Sequence, residues 1–183
     1  MRRILDACVS LMETGEEPTM RSAAKAAGIA ERTVYRHFDS LETLVTAVRD
    51  HCAARITVPL PETAADLDRY VKALFDAFEA NRELVVTLVG LAPRRQDFEQ
   101  SRAENLRAMR QLIDGSFPDA PRAARQAAAD TLRTLASGSA WVYLRVSCGL
   151  PNSRVIQSTR WLMSTAFTAL DGSVPDRVSE PAD

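Results

Sequence analysis

The sequence predicts an all-α chain, with a three-helix helix-turn-helix domain at the N-terminus and a larger helical domain behind it. Two observations predict this. Apolar residues recur at the i, i+3, i+4, i+7 spacing that lays one stripe along a helix, and glycine and proline separate the segments so marked. No stretch alternates apolar and polar residues as a half-buried strand would, and there is no hairpin signal or internal repeat.

The first helix is expected from about Arg3 to Glu13, with Ile4, Leu5, Cys8, Val9, Leu11 and Met12 inward. A polar loop through Gly15 and Pro18 ends it. The second begins at Met20, because Met20, Ala23, Ala24 and Ala27 form one face. Thr19 precedes it as an N-cap whose hydroxyl can accept an orphan backbone N–H. Gly28 stops this helix, since glycine takes the left-handed conformation without a Cβ penalty, and Ile29 is the buried turn residue. The third runs from about Glu31 to Phe38, with Val34 and Phe38 inward and Arg32, Thr33, Tyr35, Arg36 and His37 outward. Alanines on the second helix let the third cross it closely. A fourth, from about Ser40 to Arg55, is expected to bury Leu41, Leu44, Val45 and Val48. Ser40 can cap it, and Glu42 adds negative charge to its first turn.

Val58-Pro59-Leu60-Pro61 breaks the pattern, because proline cannot continue a helix and pushes its predecessor extended. The domain boundary is placed there, giving units of residues 1–55 and 56–183. Further helices are expected at about Glu62–Asn81, Arg82–Leu91, Arg94–Ser116, Pro121–Cys148 and Ser153–Leu170. Pro93, Phe117-Pro118 and Gly149-Leu150-Pro151 separate them. The polar tail from Asp171 to Asp183 is expected to fray.

With 183 residues and 46% hydrophobic content, the chain can bury one sizeable core or two small ones. A net charge of −1 does not mark a nucleic-acid binder, but the local distribution does. Between Thr19 and Phe38, Arg21, Lys25, Arg32 and Arg36 face the single acid Glu31. Cys8, Cys52 and Cys148 are odd in number, far apart and without CxxC, so reduced thiols and a cytoplasmic setting are expected. Cys148 beside Gly149 also admits a redox-sensor reading. Met1-Arg2-Arg3 leads straight into the first helix, and no apolar run reaches about 20 residues, so neither a signal segment nor a membrane span is expected.

Enzyme signatures are missing. There is no glycine-rich phosphate loop, and Ser137-Gly138-Ser139 lacks the nucleophile-elbow pattern. His37, His51 and Cys52 give no metal-ligand spacing. Asp66 and Asp68 are two apart and face different sides of a helix. No enzyme activity, cofactor or metal is expected.

Two helices joined by a glycine turn, the second bearing groups that bond phosphates and base edges, describe a helix-turn-helix. Arg32 and Thr33 lie in the first turn of the second helix and are candidates for base-edge contact. Arginine pairs bidentately with guanine, and a threonine methyl can touch thymine. Arg36, one turn later, is placed for a base or a phosphate, and Arg21 is suited to a phosphate. The plain alternative is a helical corner whose arginines are merely solvated.

From Ile4 to Leu44 the chain resembles the N-terminal DNA-binding domain of the tetracycline-repressor (TetR) family. The matching pieces are Ile4–Gly15, Thr19–Ile29, Thr33–Phe38 and Leu41–Val48, in the family's order. The resemblance implies a homodimeric, ligand-responsive regulator of palindromic double-stranded DNA, most simply a repressor released by a small-molecule effector. It implies that Thr19, Tyr35 and His37 contact phosphates, which fix register without choosing sequence. It implies an effector pocket between the central helices of the second domain, with Phe75, Phe78, Leu88, Asn105, Met109, Leu112, Phe117, Tyr143 and Arg145 as candidate walls. Asn105 and Arg145 would be its orienting polar groups, although each apolar candidate also reads as ordinary core. It implies further that the last two helices pair between subunits. There Ala136, Ala140, Trp141, Leu144, Trp161, Leu162, Thr165 and Ala169 mix small and large flat residues suited to close contact. Completion of the subunit core is the other reading of those faces. A dimer would set two recognition helices roughly 34–36 Å apart, one turn of DNA.

Two positions depart from the family pattern. Ala30 stands where a serine cap is common, and Leu41 where a phosphate-binding lysine is common. They leave open a second reading, a helical interaction protein whose helix-turn-helix has lost specific DNA binding.

Overall fold

A computed structural model describes residues 1–91 and 97–172, and all regular structure among them is helical. α1 (Arg2–Glu13) buries Ile4, Leu5, Cys8, Val9 and Met12. Leu11 is only half-buried, on the flank of that stripe. α2 (Met20–Ala27) is closed at both ends by its own sequence. Ser22 N–H donates to Thr19 Oγ1 at 3.0 Å, and Thr19 N–H donates to Ser22 Oγ at 2.8 Å, a reciprocal capping box. At the other end Gly28 takes φ +62°, and Ile29 N–H donates to the Ala24 carbonyl at 3.0 Å. Thr19→Ala is therefore expected to cost about 1 kcal/mol in urea unfolding.

α3 (Glu31–His37) follows, with Phe38 as its C-cap, and α4 (Leu41–Ile56) with Ser40 before it. Thr43 N–H donates to Ser40 Oγ at 3.2 Å, as the sequence reading expects. Leu44, Val45 and Val48 are buried, but Leu41 is not: it lies 36% exposed at the first turn, off the buried stripe. The N-terminal core joins α1 to α4, and Leu84, Leu88 and Leu91 of α6 (Arg82–Leu91) complete it. Thr87 Oγ1 lies 2.9 Å from the Glu83 carbonyl and 3.3 Å from that of Met12 in α1.

The proline segment keeps residues 57–63 out of helix. A 3₁₀ turn at Ala64–Asp66 then leads into α5 (Leu67–Ala80), so this helix starts later than predicted. Pro93, the predicted helix start at Arg94 and the tail beyond Gly172 lie outside the described residues. α7 is Asp97–Ser116 and α8 is Arg122–Leu135.

The single helix predicted from Pro121 to Cys148 is interrupted. Its chain leaves helix at Ala136 (ψ 51°), and Ser137 caps a new helix α9 (Gly138–Val142), accepting from Ala140 N–H at 3.2 Å. At Gly138 a Cβ would come within 3.2 Å of Val89 Cγ2, so glycine lets this corner close on α6. A π-helical turn at Tyr143–Ser147 follows, closed by Cys148 N–H donating to the Tyr143 carbonyl at 2.9 Å. α10 (Asn152–Leu170) ends the described chain.

The second core gathers Leu67, Val71, Phe75 and Phe78 with Ile113, Leu132, Trp141 and Val155. All three cysteines are free; Cys8 and Cys52 are buried, and Cys148 is exposed. Burial pushes the Cys8 thiol up to about 11, and the Cys52 thiol up as well, so neither is a reactive thiolate at neutral pH. No helix among the described residues is long and apolar enough to cross a membrane.

Candidate nucleic-acid interface

The second helix of the helix-turn-helix is held from beneath. Val34 is fully buried and Phe38 is 4% exposed, so α3 is fixed on the core and its outer face is set by the helical period. Arg32, Tyr35, Arg36 and His37 are exposed on that face, and Thr33 is half-buried beside them. Ala30 gives α3 no side-chain cap, so its first turn is started by backbone alone. Thr19 and Arg21 are exposed at the start of α2. Among the described residues, no acid forms an ion pair with Arg21, Lys25, Arg32 or Arg36. The cations therefore remain available to an external anion.

α4 runs from this core to the second core. Its C-terminal end is tied there by Asn81, whose side-chain N–H donates to the Arg55 carbonyl at 3.1 Å. The same helix contributes Arg49, Asp50 and Ile56 to the wall of a cavity of about 700 Å³ bounded by α5, α6, α7 and the α8–α9 corner. That volume suits a drug-sized ligand.

Of the pocket residues predicted from sequence, Phe78, Leu88, Asn105 and Met109 line this cavity. Phe75 and Leu112 are packed into the core instead, and Phe117 is stacked on Phe167 at 5.4 Å. Tyr143, the first residue of the π turn, is 63% exposed. Arg145 is used elsewhere: its Nε–H and Nη2–H donate to the two carboxylate oxygens of Glu79, each at 2.8 Å. Tyr70, Leu74, Val85 and Arg133 also line the cavity and were not singled out from sequence. Apolar spacing does not tell a stripe facing a cavity from one facing a packed core.

Hydrogen bonds from Arg145 hold the Glu79 carboxyl below the usual carboxylate range. A depressed folded-state pKa stabilises above the unfolded value, and that stability is lost as pH falls through the folded value. Glu79→Gln is thus expected to lower stability by about 0.5–1 kcal/mol at neutral pH, the scale of a part-exposed pair. The gap from wild type should close as urea titrations move to more acidic pH.

On the last two helices, Trp161 (66% exposed), Leu162, Thr165 and Ala169 form an outward stripe along α10, while Ala136, Ala140 and Leu144 are half-buried. Trp141 departs from the expected interface. It is fully enclosed by its own chain, and its Nε1–H donates to Asn152 Oδ1 at 2.9 Å.

Residues 4–48 match the model for bacterial regulatory proteins of the tetR family. The chain is 36% identical over 88 residues to a Stutzerimonas stutzeri protein named as an HTH-type transcriptional regulator, PtxE. That match covers 44% of this chain and 43% of the relative, so the chain spans less than half the length of this relative. The fold as a whole is similar to the crystal structure of a TetR-like transcriptional regulator from Rhodococcus sp. RHA1. The TM-score is 0.65 over 93% of this chain and 95% of that one, at 18% identity. The matched segment spans α1 to α3 and the first half of α4, and the fold behind it is similar to that of the neighbour. The similarity to the tetR family of bacterial regulatory proteins is thus carried by residues 4–48, and the likeness of the helices behind them is one of fold.

Proposed function

We propose that this protein is a homodimeric, sequence-specific DNA-binding transcriptional regulator, a repressor that a small molecule releases from a palindromic operator. The observation that carries the reading is α3, anchored by Val34 and Phe38 and presenting Arg32, Thr33, Tyr35, Arg36 and His37 outward. Arg32 and Thr33 read base edges; Thr19, Arg21, Tyr35 and His37 hold phosphates; Arg36 serves either. The functional division is residues 1–55 for reading DNA and 56–183 for effector binding and dimerisation.

α4 supports the switch. It places Leu44, Val45 and Val48 in the N-terminal core and Arg49, Asp50 and Ile56 at the cavity. A ligand that shifts α4 changes the separation of the two recognition helices, and a coupling of about 1–3 kcal/mol suffices for a useful switch. The outward stripe of Trp161, Leu162, Thr165 and Ala169 supports dimerisation, since an exposed apolar stripe of this kind marks an interaction surface. An electrophoretic shift at physiological salt, using DNA that flanks its own gene, tests the reading. Retardation by that DNA over a scrambled control is expected. Equal mobility with both favours the helical interaction protein whose helix-turn-helix no longer selects DNA.

A further inference from the structure

We infer that the cavity between α4 and the α8–α9 corner takes an amphipathic organic anion, a hydrocarbon body carrying a single carboxylate. The inference rests on the proposal that this cavity is the effector site, and it names the class of effector. The body follows from the walls: Leu74, Phe78, Val85, Leu88 and Met109 offer no polar group, so only apolar surface gains by entering among them.

The charge follows from what is already paired. Among the described residues, Asp50 is the only acid on the cavity wall, and Arg49 holds it through Nε and Nη2 at 3.0 and 2.9 Å. Arg133, at the end of α8, has neither an ion pair nor a hydrogen bond to any described residue. Among the described residues the wall therefore carries one uncompensated positive charge, that of Arg133, in a largely apolar space. The Tyr70 hydroxyl and the Asn105 amide, equally without partners among the described residues, add neutral groups able to donate hydrogen bonds. The Tyr70 hydroxyl is a neutral donor at neutral pH, and burial raises its pKa further. A carboxylate satisfies the arginine, a neutral head leaves it unpaired, and an ammonium meets Asp50 already occupied.

Calorimetry with three probes sharing one ring system tests this: 1-naphthylacetate, 2-(1-naphthyl)ethanol and 2-(1-naphthyl)ethylamine. The acid is expected to bind about tenfold more tightly than the alcohol, the scale of one charge-assisted hydrogen bond, and the amine most weakly. In Arg133→Gln, a substitution on a half-buried surface position, the acid should fall to the level of the alcohol while the alcohol is unchanged. Equal binding of acid and alcohol, a preference for the amine, or an acid preference that survives Arg133→Gln overturns the anionic class. Those three results leave the effector cavity standing. Binding of none of the probes, by protein whose thermal melt is intact, overturns the class and the effector reading of the cavity together.

Discussion

Trp141→Ala is expected to lower the stability of the chain by about 3–5 kcal/mol, read as a fall in the urea midpoint with little change in slope. Trp141 heads the fully buried side chains by volume, so truncation leaves a void that rigid helices close only in part. Its ring meets Phe78 edge-on, with centroids 5.7 Å apart. Its N–H is bonded to Asn152, whose own amide donates to Asp76 Oδ1 at 3.1 Å, so the substitution also opens a polar chain joining α5, α9 and α10. Trp141→Phe keeps most of the volume and loses the donor, and should cost less, about 1–3 kcal/mol. Both losses should be independent of protein concentration, because the ring packs within one subunit. A loss that vanished on dilution would return Trp141 to the subunit interface.

On the proposed reading of α3, Arg32→Ala is expected to flatten the base preference at one operator position, a loss of about 1–3 kcal/mol in discrimination. Tyr35→Phe should weaken binding to every sequence alike and leave the preference intact, because a phosphate contact carries no sequence information. Neither side chain supports the fold: both are exposed, and Tyr35 is 51% accessible. Changes in DNA binding therefore report on DNA contact rather than on unfolding. Quantitative binding to a panel of single-base operator variants separates the two roles. The same pattern of loss in both variants would refute the division between them.

The segment from α1 to α3 is the most legible part of the chain, because there local signals agree. The Met20–Ala27 stripe, the Thr19 cap, the left-handed Gly28 and the Val34–Phe38 pair each point to the same geometry, and each takes its expected place. Leu41 lies outside the predicted buried stripe because one apolar residue at a helix start can fall on either side of it. The break at Ala136–Ser137 was hidden for a related reason. Helical periodicity continues across it, and only the serine cap and a close approach of Gly138 to Val89 reveal the corner. A π turn follows, with Tyr143 at its start exposed to solvent and Arg145 within it paired with Glu79. A straight helical projection assigns both to a pocket wall. The place of Tyr70 and Arg133 on the cavity depends on five elements meeting, which no local window of sequence contains.

Selection of bound sequences from a random duplex pool at physiological salt tests the central claim most directly. The account predicts enrichment of an inverted repeat with half-sites centred about 10–10.5 base pairs apart, or a multiple of that spacing, as two α3 helices in successive major grooves require. A pool that emerges from selection with its sequences still equally represented would contradict it.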